Sequence, residues 1–110
     1  MLCNDDGIHA EGINVLHEQL IKEHEVFVIA PEKEMSGAGS SITTKRTLFP
    51  IKLKENFIAN NGTPVDCVKL AVNKLITRKP DLCVSGINHG SNSSINVIYS
   101  GTMSAAVEGA

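Results

Sequence analysis

Glu25-Val26-Phe27-Val28-Ile29-Ala30-Pro31 is the stretch that decides the fold of this chain. It is a nearly unbroken run of β-branched and aromatic residues stopped by a proline, the pattern of a strand buried on both faces of a parallel sheet. Working back toward the N-terminus, Glu11 to Glu23 places Ile13, Leu16 and Leu20 on one helical face, and Leu2-Cys3 reads as the tail of an earlier strand. Strand, helix and strand make a βαβ unit, which predicts an α/β fold with a mostly parallel sheet.

Working forward, Ser36-Gly37-Ala38-Gly39-Ser40-Ser41 reads as a loop, and residues 42 to 60 as an extended or hairpin excursion around Pro50. Gly62-Thr63-Pro64-Val65-Asp66 is a helix start, with Thr63 as N-cap, Pro64 in the first helical position and Asp66 facing the dipole. Val65, Val68, Leu70, Val72 and Leu75 are its expected buried side. After Pro80, Asp81-Leu82-Cys83-Val84-Ser85 predicts another buried parallel strand, and Tyr99-Ser100-Gly101-Thr102 opens a helical pattern from Met103 to Glu108.

Composition narrows the function. The 110 residues are 42% hydrophobic and 4% aromatic, enough for one aliphatic core. A net charge of −2 supplies no basic field to gather a polyanion, so bulk nucleic acid is not expected as a partner, whereas a small phosphorylated ligand is compatible. No apolar run is long enough to span a bilayer and no export signal is legible, so the expectation is a cytoplasmic protein without membrane attachment. Cys3, Cys67 and Cys83 read as reduced core thiols, and the four histidines lack the spacing of a zinc site.

Three polar loops each follow an apolar strand: Asn4-Asp5-Asp6-Gly7, Met35-Ser36-Gly37, and Asn88 to Asn92. In a parallel sheet they emerge at the same carboxyl edge, where open α/β sheets bind ligands. Two adjacent carboxylates repel each other, and with a hydroxyl and amide oxygens they form a hard donor set suited to Mg²⁺, Mn²⁺ or Ca²⁺. The plain alternative is an Asp-rich turn that caps the next helix. Ser100-Gly101-Thr102 offers the N–H groups of a helix start to a phosphate, with an ordinary threonine cap as its alternative. Neither GxxxxGK[ST] nor a GxGxxG after a strand is present, which leaves a P-loop ATPase or a dinucleotide-binding dehydrogenase without support.

Asn4-Asp5-Asp6-Gly7-Ile8 with Gly12, Ala30-Pro31 with Ser36-Gly37-Ala38, Gly62 to Cys67, Ser85 to Asn92, and Tyr99 to Thr102 with Glu108-Gly109 together resemble the ordered motifs of the SurE family, the stationary-phase survival proteins. The resemblance implies a Rossmann-like three-layer αβα fold, a homodimeric or homotetrameric parent, and a divalent-metal-dependent phosphatase. Its implied reaction is that of a 5′/3′-nucleotidase acting on nucleoside monophosphates, with Mg²⁺ or Mn²⁺ as cofactor. It also implies metal ligation by Asp5, Asp6, Ser36 and Asn88, catalysis through Asp5 or Asp6, and phosphate contacts from Asn92, Ser100, Gly101 and Thr102. A shorter first strand and an earlier end than the family's pattern imply that residues 1 to 110 are the N-terminal part of one such domain, trimmed at both ends, with little turnover of their own. Two rivals accompany this reading: an aspartyl-phosphate mechanism, and a non-catalytic nucleotide-binding or oligomerisation fragment.

Overall fold

The computed structural model describes residues 1–35, 47–89 and 105–106, and a five-stranded sheet runs through them. The elements are β1 (Leu2–Cys3), α1 (Glu11–Leu20), β2 (Val28–Pro31), β3 (Ile51–Lys54), β4 (Phe57–Asn60), α2 (Pro64–Leu70) and β5 (Val84–Ser85), with a π-helical turn, Ala71–Leu75, continuing α2. Strand order is β3-β4-β2-β1-β5. All pairings are parallel except that of β3 with β4.

Alternation along the strands separates two cores, because successive side chains point to opposite faces. Leu2, Val28, Ala30, Phe57 and Ala59 meet Ile8 and Ile13 on the α1 side. Cys3 and Ile29 meet Cys67, Val68, Ala71 and Ala105 on the α2 side. The result is the three-layer α/β arrangement that the family resemblance implied, Rossmann-like in its mostly parallel sheet with helices on both faces.

Thr63 caps α2 as expected, and the cap is reciprocal. Its hydroxyl accepts the Asp66 N–H at 3.2 Å while the Asp66 carboxylate accepts the Thr63 N–H at 2.8 Å. Both residues are buried, so this box replaces solvation that the helix end has lost. Gly62 is required by the close approach, since a Cβ there would lie 2.6 Å from Asp66 Oδ2.

Several expectations are corrected. α1 ends at Leu20, not Glu23, where Ile21 to Glu23 become exposed turn. Pro31 does not stop β2 but closes it, pairing with Asn60, and its carbonyl accepts the Ile8 N–H at 2.8 Å. The excursion over 42 to 60 contains a β3-β4 hairpin turning at Glu55-Asn56, and β4 joins the parallel sheet beside β2. Val72 is exposed rather than buried. The π-helical turn adds a residue to the helical period and rotates it off the apolar face. The strand expected over 81 to 85 is paired only at Val84 and Ser85, which are half-buried, and Leu82 is exposed. Of the helix expected over 103 to 108, Ala105 and Ala106 are described as helical.

Two outcomes follow from this packing. Thr63→Ala removes one half of the box and is expected to cost about 1–2 kcal/mol in denaturant unfolding. An unchanged midpoint would show that the cap adds nothing. The His17 ring stacks edge-on against Phe57 at 5.2 Å, and burial, then the Lys54 ammonium, lowers its pKa from the ordinary 6.5, against a smaller opposite pull from Glu18. The unfolded chain therefore binds a proton that the folded one resists. That stability is intact above the unfolded pKa of about 6.5 and is lost as pH falls through the lowered folded value. Thermal midpoints between pH 7 and 5 should fall less in His17→Gln than in the unsubstituted protein, and coincident profiles would refute the assignment.

Candidate functional site

β1 lies between β2 and β5, and the chain leaves it for β2 on one side and returns to β5 on the other. That reversal opens a crevice at the carboxyl ends of β1 and β5, the general ligand position in such sheets. Asn4 to Gly7 form the turn that leaves β1 at this edge, and Asp6 lines the crevice.

The turn is built from within. Asn4 is fully buried, its amide Nδ2 donates to the Gly7 carbonyl at 3.0 Å, and its Oδ1 accepts the Gly7 N–H at 3.3 Å. Gly7 adopts φ 104°, where a side chain is strained, and a Cβ would also press to 3.3 Å from the Lys33 backbone. Two neighbours then tie the turn down. Met35, following β2, donates its N–H to the Asp5 carbonyl at 2.7 Å, and His89, following β5, donates its N–H to Asp6 Oδ2 at 3.0 Å. The Gly86 N–H reaches the Cys3 carbonyl at 2.9 Å and carries the β1-β5 ladder to the start of the crevice.

Asp5, only 3% exposed, and Asp6, partly exposed, thus sit side by side at this edge. Burial raises the Asp6 pKa above the ordinary carboxylate value; the His89 backbone hydrogen bond opposes that rise and the neighbouring Asp5 adds to it. The arrangement makes negative charge costly in the absence of a cation and favourable in its presence, which fits a hard divalent ion. Among the described residues, no three His, Cys, Asp or Glu side chains gather as a metal cage.

Asn88 comes to the same edge as Asp5 and Asp6, lining with Asp6 a cleft of about 500 Å³. Ser36, Asn92, Ser100, Gly101 and Thr102 lie outside the described residues. Ala105, a few residues past the Ser100-Gly101-Thr102 step, is fully buried in the α2-side core together with Cys3, the residue just before the acidic turn. Cys3 itself is an inert thiol: the Cys67 side chain beside it, then burial, pushes its pKa well up.

The sequence reading overlooked the backbone donors of Met35 and His89, which have no side-chain signature. It also overlooked Asn60, 1% exposed at the carboxyl end of β4, whose Nδ2 donates to Cys67 Sγ at 3.7 Å and whose Oδ1 has no hydrogen-bond partner. A polar residue closing an apolar strand was the available signal. A second cavity, of about 400 Å³, opens at the amino edge among Leu20, Phe27, Leu75 and Leu82. No described helix is long and apolar enough to cross a membrane.

Comparison with known proteins bears on this arrangement. The family described as Survival protein SurE matches residues 1–110. A protein of Flavobacterium johnsoniae named 5'-nucleotidase SurE is 58% identical over 113 residues, covering 98% of this chain and 44% of its own length. Its namesake in Pseudomonas putida is 51% identical, again with 44% of its length covered. The crystal structure of the SurE protein from Aquifex aeolicus superposes with a TM-score of 0.93 at 44% identity, over 98% of this chain and 44% of that one. The chain thus spans less than half the length of these relatives. With the family match over every residue and the sheet shared at that TM-score, the chain belongs to the SurE family.

Proposed function

We propose that the protein carrying these residues is a divalent-metal-dependent phosphomonoesterase that hydrolyses nucleoside monophosphates to nucleoside and phosphate. The observation that carries this is the adjacent Asp5 and Asp6 at the sheet's crevice, in a turn tied by the Met35 N–H at the Asp5 main-chain carbonyl and by the His89 N–H at the Asp6 carboxylate. Names of relatives support the nucleotidase class.

Asp5, Asp6 and Asn88, joined by Ser36, would hold a Mg²⁺- or Mn²⁺-class ion. Such an ion supplies Lewis acidity toward both a phosphate ester and water. The chain's own part is positioning. Asp5 or Asp6 orients the attacking water or takes its proton, and the tether from the His89 N–H keeps the Asp6 carboxylate aimed while it does so. Asn92 and the N–H groups of Gly101 and Thr102 are the proposed donors to the equatorial phosphate oxygens, where fixed dipoles act on charge that grows in the transition state. A homodimer or homotetramer in a cytoplasmic setting completes the proposal.

In the full-length protein, Asp5→Asn and Asp6→Asn are each expected to lower Mg²⁺- or Mn²⁺-dependent release of phosphate from AMP by at least about a hundredfold, the scale of a missing catalytic group. Folding, followed by circular dichroism, should persist. Near-normal turnover in either variant would overturn the metal reading, and a covalent phosphoenzyme that vanishes in one of them would favour direct attack by that aspartate.

A further inference from the structure

Ahead of β3, a side chain takes over from the main-chain ladder. The register that sets Ile51 opposite Ala59 brings Phe49 opposite Asn61, and there the Asn61 carboxamide makes both bonds. Its Oδ1 accepts the Phe49 N–H at 2.8 Å, and its Nδ2 donates to the Thr47 carbonyl at 3.1 Å. Residues 47–49 are thereby clamped against the corner that leads into α2. Only an amide can do this, because one of its polar atoms accepts while the other donates.

The next residue is constrained as tightly. A Cβ on Gly62 would lie 2.6 Å from Asp66 Oδ2 and 2.8 Å from Leu48 Cδ2, so the capping carboxylate and the clamped segment both close on a position with no side chain. Packing therefore demands the dipeptide Asn61-Gly62, which occurs nowhere else in the chain. That pair is also the one in which an asparagine side chain is most open to attack by its own main chain, since glycine sets no Cβ beside the attacking nitrogen.

We infer that Asn61 is a site of spontaneous deamidation, held back by the clamp it forms and destructive of that clamp once it occurs. The Gly62 main-chain nitrogen, giving up its proton, attacks Asn61 Cγ. The Cγ–Nδ2 bond breaks, ammonia leaves with that proton, and water opens the cyclic imide to aspartate or isoaspartate. While Oδ1 and Nδ2 are both engaged by residues 47–49, the carboxamide cannot turn toward Gly62, so the reaction waits for that segment to lift. The product has no donor for the Thr47 carbonyl, and it adds a negative charge one residue from where the buried Asp66 carboxylate packs. Isoaspartate also lengthens the main chain just ahead of the Thr63 cap. None of this depends on the hydrolytic reading.

The test is peptide mapping of the full-length protein kept at mildly alkaline pH, folded and in guanidinium chloride, with the product located at Asn61 by fragmentation. The folded protein is expected to deamidate there about tenfold more slowly than the unfolded chain, a factor set by two ordinary hydrogen bonds that must open first. Phe49→Pro, which deletes the N–H donor, and Leu48→Ala, which trims the side chain over Gly62, should each raise the folded-state rate. Equal rates in the folded and unfolded chain, or in the folded protein and both variants, overturn the protection by the clamp. An unfolded chain that gives no product at Asn61 overturns the site. Asn61→Asp, and the aged protein separated by its extra negative charge, should share a lowered thermal midpoint, and midpoints equal to that of the fresh protein overturn the loss of the clamp.

Discussion

Two backbone N–H groups, from Met35 and His89, hold the Asp5-Asp6 turn from opposite sides, and the candidate site depends on that double tether. A neutral hydrogen bond contributes roughly 0.5–1.5 kcal/mol net and one to a carboxylate about twice that, so the pair can oppose the repulsion of adjacent charges without a side chain being spent on it. Each donor follows a different strand. The turn is therefore in place only when β2 and β5 have both paired with β1, which links the assembly of the sheet to that of the site.

Beneath the turn the packing is almost wholly aliphatic. Cys3 closes β1 as a buried thiol against Cys67 of α2, and Leu2 faces the α1 layer instead. Because adjacent residues of so short a strand serve opposite cores, a shift of one residue in its register would exchange the two layers. The register Leu2 with Val28 and Val84 is thus fixed by both cores together.

How much of this was legible in the sequence depended on whether the signal was local. Thr63, Pro64 and Asp66 announce α2 because a capping box lies within four residues. The strand at Val28 to Pro31 is announced by its composition, though not its end, since Pro31 lacks an N–H but its carbonyl still serves the Ile8 N–H. β4 was obscured because four residues, Phe57 to Asn60, follow a lysine-rich, wholly exposed β3 and finish on a polar side chain. Val72 was misread because a single π-helical turn breaks the 3.6-residue period, and nothing in Ala71 to Leu75 marks where that happens. For the site, the acidic pair and its strand-end position were readable. The ties from Met35 and His89 were not, because a backbone donor carries no residue identity and its aim is set by the register of distant strands.

The tether at position 89 has a consequence for variation. It is made by the main chain, so almost any residue there can keep Asp6 in place, proline alone being barred by its missing N–H. The imidazole that lines the cleft is consequently not what anchors the acidic turn. Substitution at this one position can reshape the cleft while the main-chain tether keeps the Asp6 carboxylate where it is, which separates variation in the wall from the upkeep of the acidic turn.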